Sequence, residues 1–481
     1  MDTGAYEIVV GLEVHAQLLT KSKLFCADPT NFGAEPNTQV SPISLAHPGT
    51  LPKMNRQAVE LAVRLGLALH SEIEKNNYFA RKNYFYPDLP KGYQVSQHTA
   101  PICKGGHISI HSESGSRDIL LNRIHLEEDA GKSLHDVLED KTCIDLNRAG
   151  VPLLEIVTEP CIHSADEAFQ FLTELRAILR WLDVCDGNME EGSMRCDANI
   201  SVRLKGETKL GTRVEVKNLN SIRNVKRAIE IESQRLIGLV SRQEPIRQET
   251  RSFDADNQTT FSLRSKEEAE DYRYFPEPDL PPFIITDEYL AEMIKQQPVM
   301  PETLKSRLTA EYGLTAYDAE QITSDKNTYA YFESVIKHTT HYKAVANWMQ
   351  GPLKQFCNEQ ATSYGDIPLS IHQLASLIEL VESGKVNFNN AATRIFRTML
   401  ERPGSMADQI AAELNLLQES DSDAVATWVD QVIAAMPDKV AEYQKGKKGL
   451  LGLFAGEVKK LSKGKADMAL VNQLLGEKLK N

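Results

Sequence analysis

In Glu7 to His15 the apolar residues Ile8, Val10, Leu12 and Val14 alternate with Gly11, Glu13 and His15. An extended chain buries the first set and projects a carboxylate and an imidazole side by side from the other face. Ile124 to Asp129 carries His125, Glu127 and Asp129 on one parity and Ile124, Leu126 and Glu128 on the other, so a single strand offers acids on both. Glu155 and Glu159 share a parity with Leu153 and Val157. Asp197, Asn199, Ser201 and Arg203 oppose Ala198, Ile200 and Val202, and Arg213, Glu215 and Lys217 oppose Val214 and Val216. Solvation on an antiparallel sheet explains any one of these faces. Together they are rich in acids, hold one well-placed His, and add Arg or Lys in compact motifs. A curved sheet whose concave face gathers carboxylates for a divalent metal and cations for phosphate fits that inventory. Oxygen-rich ligands with a single imidazole suit Mg²⁺ or Mn²⁺ better than zinc. Phosphoryl transfer needs such a metal to bridge phosphate oxygens, and basic groups to take up developing charge.

Other motifs carry less. Ala130-Gly131-Lys132-Ser133 looks like the end of a P-loop, but the first glycine of that pattern falls at Leu126 and acids occupy the loop. Gly105-Gly106 reads as a turn. No Ser sits in G-x-S-x-G, and the cysteines have no local signature, so a hydrolase triad is not indicated.

The elements that must position these side chains divide the chain in two. Its 481 residues, 41% hydrophobic and 25% charged, suit two or three globular domains. Up to about residue 290 short alternating segments are separated by Gly, Pro and Asn, with a few amphipathic helices. The clearest helix starts at Ser164, with Glu167 placed to complete a capping box, and buries Phe171, Leu172, Leu175, Ile178, Leu179 and Leu182. Prolines at 276, 278, 281, 282, 298 and 301 end this half. Helical periodicity follows, with Pro403-Gly404 as a second break. The expected domains are 1–292, 293–408 and 409–481.

Seven cysteines without a C-x-x-C pair point to a reduced, cytoplasmic life. No apolar run reaches a membrane span and no leader precedes Tyr6. A net charge of -13 argues against a protein coated with nucleic acid, yet it conceals two basic patches. Arg195 to Arg227 holds nine Lys or Arg against three acids, and Ala441 to Asn481 nine against four.

Six segments in one order carry a resemblance: Val10 to His15 (VGLEVH), Arg81 to Asp88 (RKNYFYPD), Leu126 to Lys132 (LEEDAGK), Leu146 to Arg148 with Pro152 to Pro160, Arg195 to Asn199 (RCDAN) and Asp271 to Pro282. They closely resemble the family of B subunits of aspartyl/glutamyl-tRNA amidotransferases, along the whole chain. The resemblance implies an α+β protein: a glutamine-synthetase-like antiparallel-sheet cradle, a helical domain and a small all-α tail that holds tRNA. It implies a heterotrimer with a glutaminase A subunit and a small C subunit, acting on misacylated tRNA and on neither DNA nor a membrane. ATP and Mg²⁺ would phosphorylate the side-chain carboxylate of Glu-tRNA(Gln), Asp-tRNA(Asn) or both, and ammonia would then displace phosphate.

Carried over by motif, Glu13, His15, Glu155 and one or both of Glu127 and Glu128 become metal candidates, and strand parity does not choose between the last two. Lys82 matches a lysine at the mouth of the family's ammonia passage. Asp197 and Lys217, with Asn199, Glu215 and Asn218, are candidates for the phosphate and nucleotide environment. Many relatives carry four cysteines as C-x-C and C-x-x-C after the first strand. The corresponding residues here are Cys26, Asp28, Ser41 and Ser44, and one thiolate does not hold structural zinc, so none is expected. Two other classes stay open, a metal-dependent hydrolase and a non-catalytic tRNA-binding assembly subunit.

Overall fold

Burial alternates along Tyr6–Gln17 (β1), with Val10, Leu12, Val14 and Ala16 buried and Gly11, Glu13, His15 and Gln17 half-buried between them. That pattern belongs to a strand packed on one face. The computed structural model describes all residues except 1–4, 113–114, 266–271, 419–421, 463–464 and 480–481. Asp271, which opens the last of the six motifs, and Lys463, in the second basic patch, therefore lie outside the described residues.

β1 lies inside a ten-stranded sheet with β2 (Glu72–Ile73), β3 (Cys103–Lys104), β4 (His107–Ser112), β5 (Gly115–Glu128), β6 (Pro152–Thr158), β7 (Met194–Leu204), β8 (Val214–Leu219), β9 (Glu249–Asp254) and β10 (Thr259–Ser265). The order is β10-β9-β8-β7-β1-β6-β5-β3-β2, with β4 paired to β5. The expected sheet was antiparallel; this one is mixed, because β8 and β9 run parallel. The helix Ile222–Ser241 connects them and returns the chain to the end from which β8 started, as a parallel pair requires.

The helix expected at Ser164 spans Ala165–Trp181, and the Ser164 hydroxyl accepts from the Glu167 amide. The capping box does not close. The Glu167 carboxylate accepts instead from the His163 amide at 2.7 Å and pairs with Arg117, because a cross-element cation competes for it. Gly131 sits in the AGK motif because of crowding. A Cβ there would stand 2.8–2.9 Å from Leu146, the Asp145 carbonyl and the Asp88 carbonyl. The motif leads into the strand Lys132–Leu138, not into a helix.

The chain forms two compact units, Met1–Met300 and Pro301–Asn481. The second is helical apart from its connections and contains two cores. One gathers Phe332, Trp348, Leu377, Phe396 and, from the helix Ala407–Glu413, Ala407, Ile410 and Ala411. The other gathers Val425, Val429, Phe454, Val458, Val471 and Leu475. The break at Pro403-Gly404 is a turn between two helices of one core, and an edge drawn at residue 408 falls inside the second of them. All seven cysteines are free thiols. Among the described residues no helix is long and apolar enough to cross a membrane.

Candidate active site

Register assembles the site. His125 on β5 stands opposite Glu155 on β6, Glu155 opposite His15 on β1, and His15 opposite Arg195 on β7. Directly opposed residues have Cβ atoms about 5 Å apart, so one row across four strands presents two imidazoles, a carboxylate and a guanidinium. Glu13 and Glu127 lie two residues along their own strands on the same face. His15 Nε2 is 3.5 Å from Glu155 Oε2 and 3.7 Å from both Glu13 Oε1 and Glu127 Oε1. His125 Nε2 is 3.1 Å from Glu155 Oε2 and 3.5 Å from Glu127 Oε2. Two ligand triads result, Glu13-His15-Glu155 and His125-Glu127-Glu155, and they share Glu155.

The electrostatics follow from crowding acids in a desolvated place. Burial and the neighbouring Glu155 raise the Glu13 carboxyl above its usual range. Burial opposes ionisation of Glu155, but the two imidazoles outweigh it and hold that carboxyl well below the ordinary value. Burial likewise opposes a charge on His15, and Glu155, Glu127 and Glu13 raise its pKa nonetheless. Hard carboxylate oxygens beside an imidazole, all within reach of one point, fit a divalent cation of the Mg²⁺ class.

Glu128, on the other parity, does not join them. Its carboxylate accepts from the Val95 amide at 2.9 Å and from the Lys91 ammonium on the opposite side of β5. Asp129 turns toward cations, with Arg195 at 2.9 Å and Arg148 at 3.7 Å, and Gln17 also donates to it. Lys217 joins Asp197 and stands 3.3 Å from Glu215, whose other oxygen accepts from Thr250. Asp197 is the cross-strand partner of Glu13, so this group borders the acid row. Asn199 is flanked by Gly11 and Glu215 in register, while the Asn218 amide donates to Ser252 from a left-handed backbone, φ 63°.

Lys82 comes from the strand Ala80–Asn83, and its ammonium lies 4.9 Å from the Tyr272 ring centre and 5.7 Å from that of Tyr84. Burial lowers its pKa, but Glu127, Tyr274, Tyr84 and Glu155 more than reverse this, so the ammonium stays charged at neutral pH. Arg81 fixes the neighbouring motif by a two-pronged bond to Glu277 at 2.7 and 2.8 Å, which brings Tyr272 to Lys82. His125 is the residue that strand reading placed on the right face without assigning it a role. Its partner Glu155 is distant in sequence and is revealed only by register.

The residues at the four positions where many relatives carry cysteine also converge. Asp28 Oδ2 accepts from the Ser41 amide at 2.9 Å and from the Ser44 hydroxyl, and Cys26 bonds to Asp28 as well. Burial disfavours the Asp28 carboxylate, yet these hydrogen bonds hold its pKa below the usual value. One acceptor therefore closes the loop. Asp28→Ala removes the charged acceptor and leaves the Ser41 amide and the Ser44 hydroxyl only their weaker bonds to each other's residue, at 3.0 and 3.2 Å, and is expected to cost about 1–3 kcal/mol of unfolding free energy, read by urea titration. A midpoint equal to that of the parent chain refutes the role.

Comparison with known proteins adds family evidence. A family model described as the GatB/GatE catalytic domain matches residues 8–291, and a second, the GatB domain, matches residues 330–479. The B subunits of several bacterial aspartyl/glutamyl-tRNA(Asn/Gln) amidotransferases are similar end to end. That of Thermodesulfovibrio yellowstonii is 47% identical over 475 residues, covering 99% of each chain. That of Geotalea uraniireducens is 48% identical over 477 residues, covering 98% of this chain and 99% of its own. That of Caldicellulosiruptor bescii is 46% identical over 477 residues with the same coverage.

Proposed function

The chain belongs to the family of aspartyl/glutamyl-tRNA(Asn/Gln) amidotransferase B subunits, and we infer from this and from the cross-strand acid row how it takes part in ATP-dependent amidation of misacylated tRNA. The row carries the reading: it crowds three carboxylates around His15 in a desolvated place, an arrangement that a bound cation would stabilise.

Glu13, His15 and Glu155, with Glu127 beside His15, would hold Mg²⁺, and Glu128 is left to pair with Lys91. A divalent cation held there would supply charge to offset that of the ATP phosphates. Lys217, oriented by Asp197 and Glu215, and Lys82, held between two tyrosine rings, supply positive charge on either side of the acids. Asn199 and Asn218 line the nucleotide side of this group. The side-chain carboxylate of the misacylated residue attacks the γ-phosphorus, the bond to ADP breaks, and an acyl phosphate forms. Ammonia then attacks the acyl carbon and phosphate leaves, giving the amide. We assign the ammonia to an A subunit and the fastening of the pair to a C subunit. The sheet unit is the glutamine-synthetase-like cradle of this scheme, followed by a helical domain and a tRNA-holding tail, and the free thiols suit the cytoplasm.

Measuring ATP hydrolysis and amide formation with and without misacylated tRNA and the A and C subunits tests the reading. Hydrolysis is expected to require misacylated tRNA and to yield amidated product. Hydrolysis indifferent to tRNA indicates a metal-dependent hydrolase instead. Amide formation that survives loss of the acid row indicates an assembly subunit.

A further inference from the structure

We propose that His125 is a positioning residue: its Nε2–H donates to Glu155 and Glu127 and aims both carboxylates at one cation, which His125 itself does not bind. The proposal rests on the assignment of that acid row to a metal.

His125 is buried, with a side chain 7% exposed, on a strand flanked by β3, β4 and β6. Its Nε2 stands 3.1 Å from Glu155 Oε2 and 3.5 Å from Glu127 Oε2. Glu127 turns its other oxygen, Oε1, toward His15. Glu127 thus presents one oxygen to each ring, while Glu155 offers the same oxygen to both. The two triads can be read as two cation sites sharing Glu155, or as one site with a support behind it.

The far side of the His125 ring decides between them. Nδ1 is buried and has no hydrogen-bond partner among the described residues. A neutral imidazole that ligates through Nε2 must carry its proton on Nδ1, where it would be a buried donor with nothing to accept it. Such an orphan costs about 1–3 kcal/mol. With its proton on Nε2 the ring makes a charge-assisted bond to Glu155 that ligation would break, and in the neutral form it leaves only an unused lone pair on Nδ1. His15, half-buried and reached by three carboxylates, does not face this restriction. His125 therefore plays for the metal's carboxylates the part that outer hydrogen-bond partners play in other metal sites.

Mn²⁺, whose free ion is counted by paramagnetic resonance, is the probe. The full-length chain is titrated as wild type, His125→Leu and His125→Gln, with thermal unfolding of each recorded alongside. Wild type is expected to bind one Mn²⁺ per chain. His125→Leu is expected to bind one with a Kd about 10–100-fold higher. His125→Gln, whose amide nitrogen reaches the place of Nε2, recovers most of that loss. A purely structural role would shift unfolding without this pattern of affinity and rescue. A wild-type stoichiometry of two that falls to one in His125→Leu overturns the proposal in favour of ligation, and an unchanged Kd in a folded His125→Leu chain overturns it outright. The readout needs neither tRNA nor ATP, so a failure here is separate from a failure of the amidation scheme.

Discussion

Replacing His15 or Glu155 by alanine is expected to lower acyl-phosphate formation at least about 10³-fold while the chain stays folded. A metal acting on phosphate oxygens is worth several kcal/mol of charge stabilisation, and about 4 kcal/mol corresponds to that factor. His15 touches all three carboxylates of the row, and Glu155 is shared by both triads, so each truncation dismantles the ligand set at its centre. Folding should survive because the apolar parity of β1, Val10, Leu12, Val14 and Ala16, is untouched. Removing Glu155 relieves Glu13 of a neighbouring acid but strips both imidazoles of the carboxylate they hold well below its ordinary pKa, so a modest loss of stability at neutral pH is the expected direction. Glu155→Gln keeps the shape and removes the charge, and it should lose as much activity as Glu155→Ala. Product at near the wild-type rate in any of these variants removes that residue from the site. Glutaminase activity of the assembled complex serves as the control and should not change.

Period-two patterning was legible on β1, where one face is buried, which is why Glu13 and His15 could be read together on its polar face; Glu155 stands on β6, buried on both faces, and was reached only through the motif resemblance, as was Glu127. What parity cannot supply is register. Glu127 and Glu128 are equally acidic and adjacent, and only the alignment of β5 with β6 shows that Glu127 turns toward His15 while Glu128 turns toward Lys91. The same alignment brings His125 to Glu155, a pairing between residues thirty positions apart that no local rule contains. The parallel pair β8–β9 was missed because the crossover helix was not identified, and it is the helix that forces the direction. At Ser164 the cap was legible from the local sequence, but the competing pull of Arg117 on Glu167 was not. The edge of the tail was drawn from local sequence alone for a related reason. Pro403-Gly404 is a strong local break, yet packing of Ala407, Ile410 and Ala411 into the Trp348 core assigns the next helix to the preceding body.

The last expected result follows from that edge. A cut at residue 411 would open the Trp348 core, whereas deleting residues 422–481 removes the second core whole. The complex lacking 422–481 should bind tRNA about 10–100-fold more weakly, show a raised KM for tRNA, and keep its glutaminase activity. The surface of the segment Lys445 to Leu461 is suited to such a contact. Phe454, Ala455 and Val458 are buried, but Leu453 and Leu461, which periodicity assigns to the same stripe, are 41% and 46% exposed. Lys445, Lys447, Lys448, Lys459 and Lys460 are exposed around them. Gly449, Gly452 and Gly456 meet nothing within 4 Å of where a Cβ would stand, so no packing contact calls for glycine there. In a helix each glycine costs up to about 1 kcal/mol, a penalty easier to understand if uncovered backbone lets a phosphate approach. Glu442 and Glu457 partly neutralise Lys447 and Lys460, whose own exposed ammonium groups can trade those partners for phosphates at little cost. Such contacts position a polyanion without reading its bases. The decisive measurement is therefore affinity across a salt series, where each phosphate that the truncated complex no longer neutralises should flatten the log–log slope by roughly 0.7–0.9. If the truncated complex keeps both the parent affinity and the parent slope, the second core is a packing domain and tRNA is held elsewhere.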